Sequence, residues 1–203
     1  MHSIEPYIRL VCEGRKTEPN YFNGLLRYMG IKMANPAFKA KDNSPLGVVR
    51  EALTVYKDAV RLRIPKVKIF IFAVFDRDGH AGVPEAIGML RDTPVKVIFS
   101  NVCFEHWILL HYEQTQRQFA NCDELISYIE HNHDPSYSKS GDHFHQLKNR
   151  IPTAIVNAKW LSETHWRYDD RPIWERNPYT DVHKAVQMIQ MPPSEWHDTF
   201  SRL

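Results

Sequence analysis

An α/β fold built on a mainly parallel sheet is the architecture this sequence predicts, and three observations predict it. The stretches at 7–11 and 67–75 are nearly unbroken apolar runs, the mark of strands buried on both faces. Segments with helical spacing separate them. Polar and acidic clusters stand where each run ends, as ligand-binding groups do at the carboxyl ends of strands in open α/β sheets.

The first strand spans 7–12, broken only by Arg9 and ended by Glu13-Gly14. Thr17, Glu18, Pro19 and Asn20 suit a helix start. Tyr21, Phe22, Leu25, Leu26 and Met29 then recur at helical spacing, with Gly30 as the stop. Residues 33–45, with Pro36 and Pro45, read as a loop. A second helix runs from Leu46 to Leu62 and closes before Pro65. The clearest strand, 67–75, ends in Asp76-Arg77-Asp78-Gly79. Gly82 and Pro84 open a third helix through Leu90. A third strand covers 95–99, ended by Ser100-Asn101, and residues 103–112 form an apolar helix with Asn101 as a cap. After about residue 113 the character shifts. Helices are predicted at 122–131 and 143–160, and a last one, capped by Thr180, precedes Pro192-Pro193. Trp160, Trp166, Trp174 and Trp196 mark this part as aromatic. The expected organisation is an α/β core over 1–113 and a helical C-terminal extension over 114–203 packed on it as one unit.

The 203 residues, 43% hydrophobic and 25% charged, are ordinary for a globular protein. No apolar run approaches the roughly 18 residues of a membrane span, and the N-terminus lacks a signal-peptide pattern. Three cysteines without paired spacing argue against a disulfide framework, so a cytoplasmic location is the default expectation. Cys12 and Cys103 read as small core residues. A net charge of +2 lacks the strongly basic balance of many nucleic-acid binders, but a local patch suffices for a site.

Asp76 and Asp78 lie two apart, so in an extended segment both carboxylates face one side and suit a hard cation. A polar turn capping the next helix is the plainer alternative. Glu13, at the end of another strand, either ligates the same ion or moves a proton. Glu18 reads more readily as a dipole partner at its helix start than as a ligand. Gly14-Arg15-Lys16-Thr17 suits a phosphate, although Arg15 and Lys16 equally suit solvated loop charges and the stretch is not an NTP-binding P-loop. Glu105 would reach the same crevice edge from the third strand end, or simply face its helix dipole. Among eleven histidines, His131, His133, His143 and His145 lack zinc-type spacing and read as surface residues. Lys139, in a polar loop with Tyr137, could present a cation to a phosphate.

Cys-Glu-Gly-x-x-Thr-Glu-x-x-Tyr-Phe at 12–22, Phe-Asp-x-Asp at 75–78 and Ser-Asn-x-Cys-Phe-Glu-x-Trp at 100–107 together resemble the RloB family. Leu109-Leu110-His111, Tyr137-x-Lys139 and Asn177-Pro178-x-Thr180 fit the same pattern in the same order. Val102 stands where the pattern expects Pro. The resemblance implies a Toprim-like compact sheet and Mg²⁺- or Mn²⁺-dependent phosphodiester chemistry. It further implies Glu13, Asp76 and Asp78 as metal ligands, with Glu105, His111 and Lys139 as a second wall and Arg15 and Lys16 on substrate phosphate. The function it implies is an abortive-infection nuclease of prokaryotic phage defence, cutting RNA or DNA, with a defence-system protein as a further partner and no membrane. A non-catalytic binding subunit and a nucleotidyl transferase are the competing expectations.

Overall fold

Strand β1 (Tyr7–Cys12) and strand β3 (Ile69–Asp76) lie side by side, parallel, from Tyr7 opposite Ile69 to Cys12 opposite Val74. In this computed structural model, which describes residues 5–203, β3 is the sheet's centre and every one of its residues but Asp76 is buried. Alternation explains the apolar run. Phe70, Phe72 and Val74 face one core, while Ile69, Ile71, Ala73 and Phe75 face another on the opposite side. Strand β4 (Val95–Asn101) continues the parallel pairing, with Asp76 opposite Ser100.

Two further strands complete the order β2-β1-β3-β4-β5. Strand β2 (Ala37–Lys39) falls in the stretch expected to be a loop and pairs in parallel with β1. Asn23 brackets it, donating from Nδ2 to the Ala37 carbonyl at 2.8 Å and accepting from the Ala37 N–H at 3.0 Å. Three residues are too short for a periodic signal; the free edge of β1 makes the strand. Strand β5 (Tyr179–Thr180), from the aromatic C-terminal part, runs antiparallel to the end of β4.

Helix α1 (Thr17–Tyr28) follows β1, and α2 (Pro45–Arg61) is capped by Ser44, whose Oγ accepts from the Gly47 N–H at 3.0 Å. Helices α3 (Val83–Met89) and α4 (Glu105–Leu110) follow β3 and β4. Beyond them come α5 (Cys122–Asn132), α6 (Phe144–Leu147), α7 (Ile151–Trp160), α8 (Val182–Gln190) and α9 (Trp196–Ser201). The single helix expected over 143–160 is broken at 148–150, just before Pro152, which lacks an N–H and suits only a first turn. Ala154, Ala158, Val186, Ile189, Trp196 and Phe200 join Phe70 and Phe72 in one core, so residues after 113 cover a sheet face. Trp196 and Phe200 each meet Phe70 edge-on at 5.4 Å.

Two local expectations are corrected. Asn101 does not cap α4; its amide donates to the Trp174 carbonyl at 3.3 Å. Cys103 and Cys122 are joined by a disulfide, with Cα atoms 5.8 Å apart, and Cys12 is the free, buried cysteine. The pairing is made by the packing of α5 beside α4, which residue spacing does not reveal. No helix among the described residues is long and apolar enough to cross a membrane.

Candidate active site

The chain ends of β1 and β3 and the starts of α1 and α4 bring four carboxylates into one crevice. Glu13 follows β1 directly. Its Oε2 accepts from the Asp76 N–H at 3.0 Å, and its Oε1 lies 2.9 Å from His80 Nε2. Burial raises the Glu13 pKa, while these two partners oppose the rise. Asp76, the last residue of β3, accepts through Oδ2 from the Phe104 N–H at 3.1 Å, the hydrogen bond that ties β3 to the start of α4. Burial, then the charges of Glu18, Glu13 and Glu105, push Asp76 well above the usual carboxylate range.

Glu18 turns back from the first turn of α1, where Oε1 accepts from the Gly14 N–H at 3.0 Å. A Cβ at position 14 would collide with this carboxylate, so a larger residue there would displace the Glu18 side chain. Burial, followed by the charge of Glu105, pushes Glu18 up to about 7. The helix-dipole reading therefore covers only part of its role. It stands at a helix start and also belongs to the acidic cluster.

Glu105 is fully buried. Its Oε1 accepts from the Thr17 hydroxyl at 3.2 Å and from the Tyr137 hydroxyl at 3.4 Å. Burial raises its pKa and the Lys139 charge lowers it, with a net rise. Burial alone would lower Lys139. The negative charges of Glu105, Asp76, Asp78 and Glu18 outweigh that and hold the ammonium above its ordinary range. Lys139 thus answers an otherwise uncompensated cluster of like charges. Its backbone carbonyl accepts from Thr17 Oγ1 at 2.7 Å, which pins the 137–141 loop to α1.

An open pocket beside these groups is lined by Gly14, Arg15, Lys16, Thr17, Glu18, Lys139 and Ser140. Arg15 and Lys16 are exposed at its rim. Asp78 is exposed as well, in a turn completed by Gly79 at φ +76, and its backbone N–H donates to the Val102 carbonyl at 3.2 Å. Its carboxylate is felt electrostatically at Glu13 and Lys139.

Of the residues singled out from sequence, the crevice gathers Glu13, Asp76, Glu105 and Lys139, with Asp78, Arg15 and Lys16 at its edge. His111 is not among them. It is buried at the C-terminal cap of α4, where Nδ1 donates to the Trp107 carbonyl at 2.9 Å and Nε2 accepts from the Tyr21 hydroxyl at 3.2 Å. Burial lowers its pKa to about 4, so it is a neutral core histidine. His80 is the contributor that residue patterns missed, since nothing in spacing separates it from the other histidines. The sequence places Thr17 at a helix start and in a phosphate loop, and its contact with Glu105 lies outside that pattern. Tyr137 was visible only as part of a family pattern.

The histidines of the 131–145 stretch make local contacts. His133 stacks on Tyr112 with centroids 5.2 Å apart, and His143 stacks on Tyr137 at 4.6 Å. Among the described residues, the one trio of His, Cys, Asp or Glu ligand atoms within 4.8 Å of one another is Cys103, Glu105 and Cys122, and its two sulfurs are bonded to each other in the disulfide. The oxygens of Glu13, Asp76 and Asp78 do not form such a trio.

No curated protein and no solved structure matched the chain. A family model described as RloB-like protein matches residues 8–189, which contain every residue of the crevice. The chain belongs to the RloB-like family.

Proposed function

We propose that this protein is a Mg²⁺- or Mn²⁺-dependent phosphodiesterase of Toprim type that cleaves RNA or DNA in prokaryotic defence against phage. The observation that carries the proposal is the crowding of Glu13, Glu18, Asp76 and Glu105 at the strand ends, with Asp76 and Glu18 driven toward protonation by burial and then by the neighbouring carboxylates. Facing carboxylates repel unless a cation or a proton intervenes. All of these donors are hard oxygens, which fit Mg²⁺ or Mn²⁺ in chemistry.

Asp76, Glu13 and Asp78 would hold the ion, and because their oxygens do not converge here they would have to draw together around it. A bound divalent cation would stabilise charge on the phosphate and make water a better nucleophile near neutral pH. Glu18, set to exchange a proton near pH 7, is the group placed to act as acid or base. Thr17 and Tyr137 hold the Glu105 carboxylate in one orientation, and Lys139 balances its charge. Arg15, Lys16 and the backbone at Gly14 would seat a neighbouring phosphate, which positions the strand without reading its sequence.

The test is direct. Labelled tRNA, single-stranded RNA and duplex DNA are incubated with the protein in Mn²⁺, Mg²⁺ or EDTA, beside Asp76→Ala. The expected result is cleavage of at least one substrate that EDTA or the substitution abolishes. Cleavage that survives either would overturn the mechanism.

A further inference from the structure

The Cys103–Cys122 disulfide lies against the second wall of the crevice. Cys103 immediately precedes Phe104, whose N–H holds Asp76, and Glu105. Cys122 is the first residue of α5. Its sulfur lies 3.3 Å from Glu105 Oε2 and 3.5 Å from Lys139 Nζ. The bridge thus ties the start of α5 to the start of α4, and one of its sulfurs touches both members of the Glu105–Lys139 pair.

We propose that Cys103 and Cys122 form a dithiol–disulfide switch that sets the placement of Lys139 and Glu105, and that the disulfide is the competent state. In the disulfide neither sulfur carries a proton or a charge. The only charges that Lys139 then answers are those of the carboxylates, and both its Nζ and Glu105 Oε2 meet a neutral sulfur. After reduction, the Cys122 thiol donates to Glu105 Oε2, or its thiolate pairs with Lys139. Either change gives Glu105 a donor or Lys139 a counter-charge that competes with Asp76, Asp78 and Glu18 for the ammonium. The bond between α4 and α5 is lost at the same time.

The exchange balances with a low-molecular-weight disulfide as oxidant. The Cys122 sulfur, beside an ammonium that attracts its developing negative charge, attacks that disulfide and expels one thiolate, which takes up the proton. The Cys103 sulfur then attacks the mixed disulfide and expels the second thiol. Two protein thiols and one small disulfide become one protein disulfide and two small thiols. Cys12 provides an internal control, since it has no disulfide partner; all three cysteines are shielded from water, so exchange at Cys103 and Cys122 proceeds through opening of the α4–α5 contact.

The proposal rests on the phosphodiesterase reading only where catalysis is measured, so its first readouts avoid catalysis. Protein equilibrated in defined mixtures of oxidised and reduced glutathione is alkylated and peptide-mapped. Cys103 and Cys122 should pass together from blocked to reactive in one transition, with Cys12 unmoved. In the same samples the rate of Lys139 acylation should differ between the end states by about 5-fold or more. Independent titration of the two cysteines, or a Lys139 rate that ignores redox state, would overturn the switch. So would a stoichiometric Zn²⁺ retained by the reduced protein, because the sulfurs would then be metal ligands with Glu105. Cys122→Ser should lock Lys139 at the reduced-state rate; should that variant misfold, the wild-type titration still decides. If cleavage occurs, the oxidised form should exceed the reduced form by about 10-fold, in the range seen when groups that orient active-site ligands are lost; equal rates would overturn the claim of competence. If both chemical readouts hold and neither state cleaves any substrate, the phosphodiesterase reading falls and the switch stands.

Discussion

Glu105 and His111 stand at opposite ends of the same short helical segment, about 9 Å apart along its axis at 1.5 Å per residue. Both are shielded from water, at 0% and 1% exposure, and both are driven toward neutrality by burial. Their surroundings differ completely. His111 is enclosed by Tyr21 and Trp107, with each ring nitrogen hydrogen-bonded. Glu105 faces other carboxylates and one ammonium, with hydroxyls on one oxygen and a disulfide sulfur on the other. A satisfied buried polar group supports packing. A crowded one stores an electrostatic imbalance that a ligand can relieve, and such imbalances gather at functional sites.

Substitution at the two ends should separate these roles. His111→Ala should cost the most stability, about 3 kcal/mol, through the cavity and the stranded Tyr21 hydroxyl. Denaturant melts measure it, and turnover per folded molecule should be unchanged. Glu105→Gln keeps the shape and removes the charge. It should leave stability equal or higher while lowering any cleavage by about 100-fold, read from single-turnover rates. A destabilised Glu105→Gln with full activity would erase the contrast.

His111 and the acidic cluster, through Glu18, should also show opposite pH slopes. His111 has its folded pKa lowered to about 4, so it favours the folded state above the unfolded value near 6.5, and that stability is lost as pH falls toward 4. Glu18 has its folded pKa raised from 4.5 to about 7, so the folded state takes up the extra proton, and stability is lost as pH rises through that window. Glu18→Gln should therefore be the more stable protein at pH 8, by on the order of 2 kcal/mol, with the difference closing toward pH 4.5. Added Mn²⁺ should raise the melting temperature of the wild type at pH 8 and that of Asp76→Ala much less, since only a ligand that binds the folded state stabilises it. The smallest effect is expected for Tyr137→Phe, which removes one hydroxyl from Glu105 and should cost about 1 kcal/mol or less.

Much of this molecule is legible in its residues. Near-continuous apolar runs identify β1, β3 and β4, because burial on both faces leaves no room for polar alternation. Acids at strand ends mark Glu13 and Asp76, since a parallel sheet collects its strand ends on one edge. Local signals fail where partners are distant. Strand β2 exists because β1 has an open edge, and β5 because β4 has one. His111 follows the same helix as Glu105, and no spacing rule says which end of a segment of six residues meets the acids.

Residue order alone thus determined the three central strands, their parallel sense and the acidic strand ends, because these follow from short-range periodicity and the direction of the chain. Tertiary packing alone decided that Glu18 joins the cluster, that His80 and Tyr137 attend it, that His111 does not, and that Cys122 meets Cys103. Each of these depends on how far apart two distant segments come to rest. That distance is set by the fit of whole faces, which the identity of single residues does not contain.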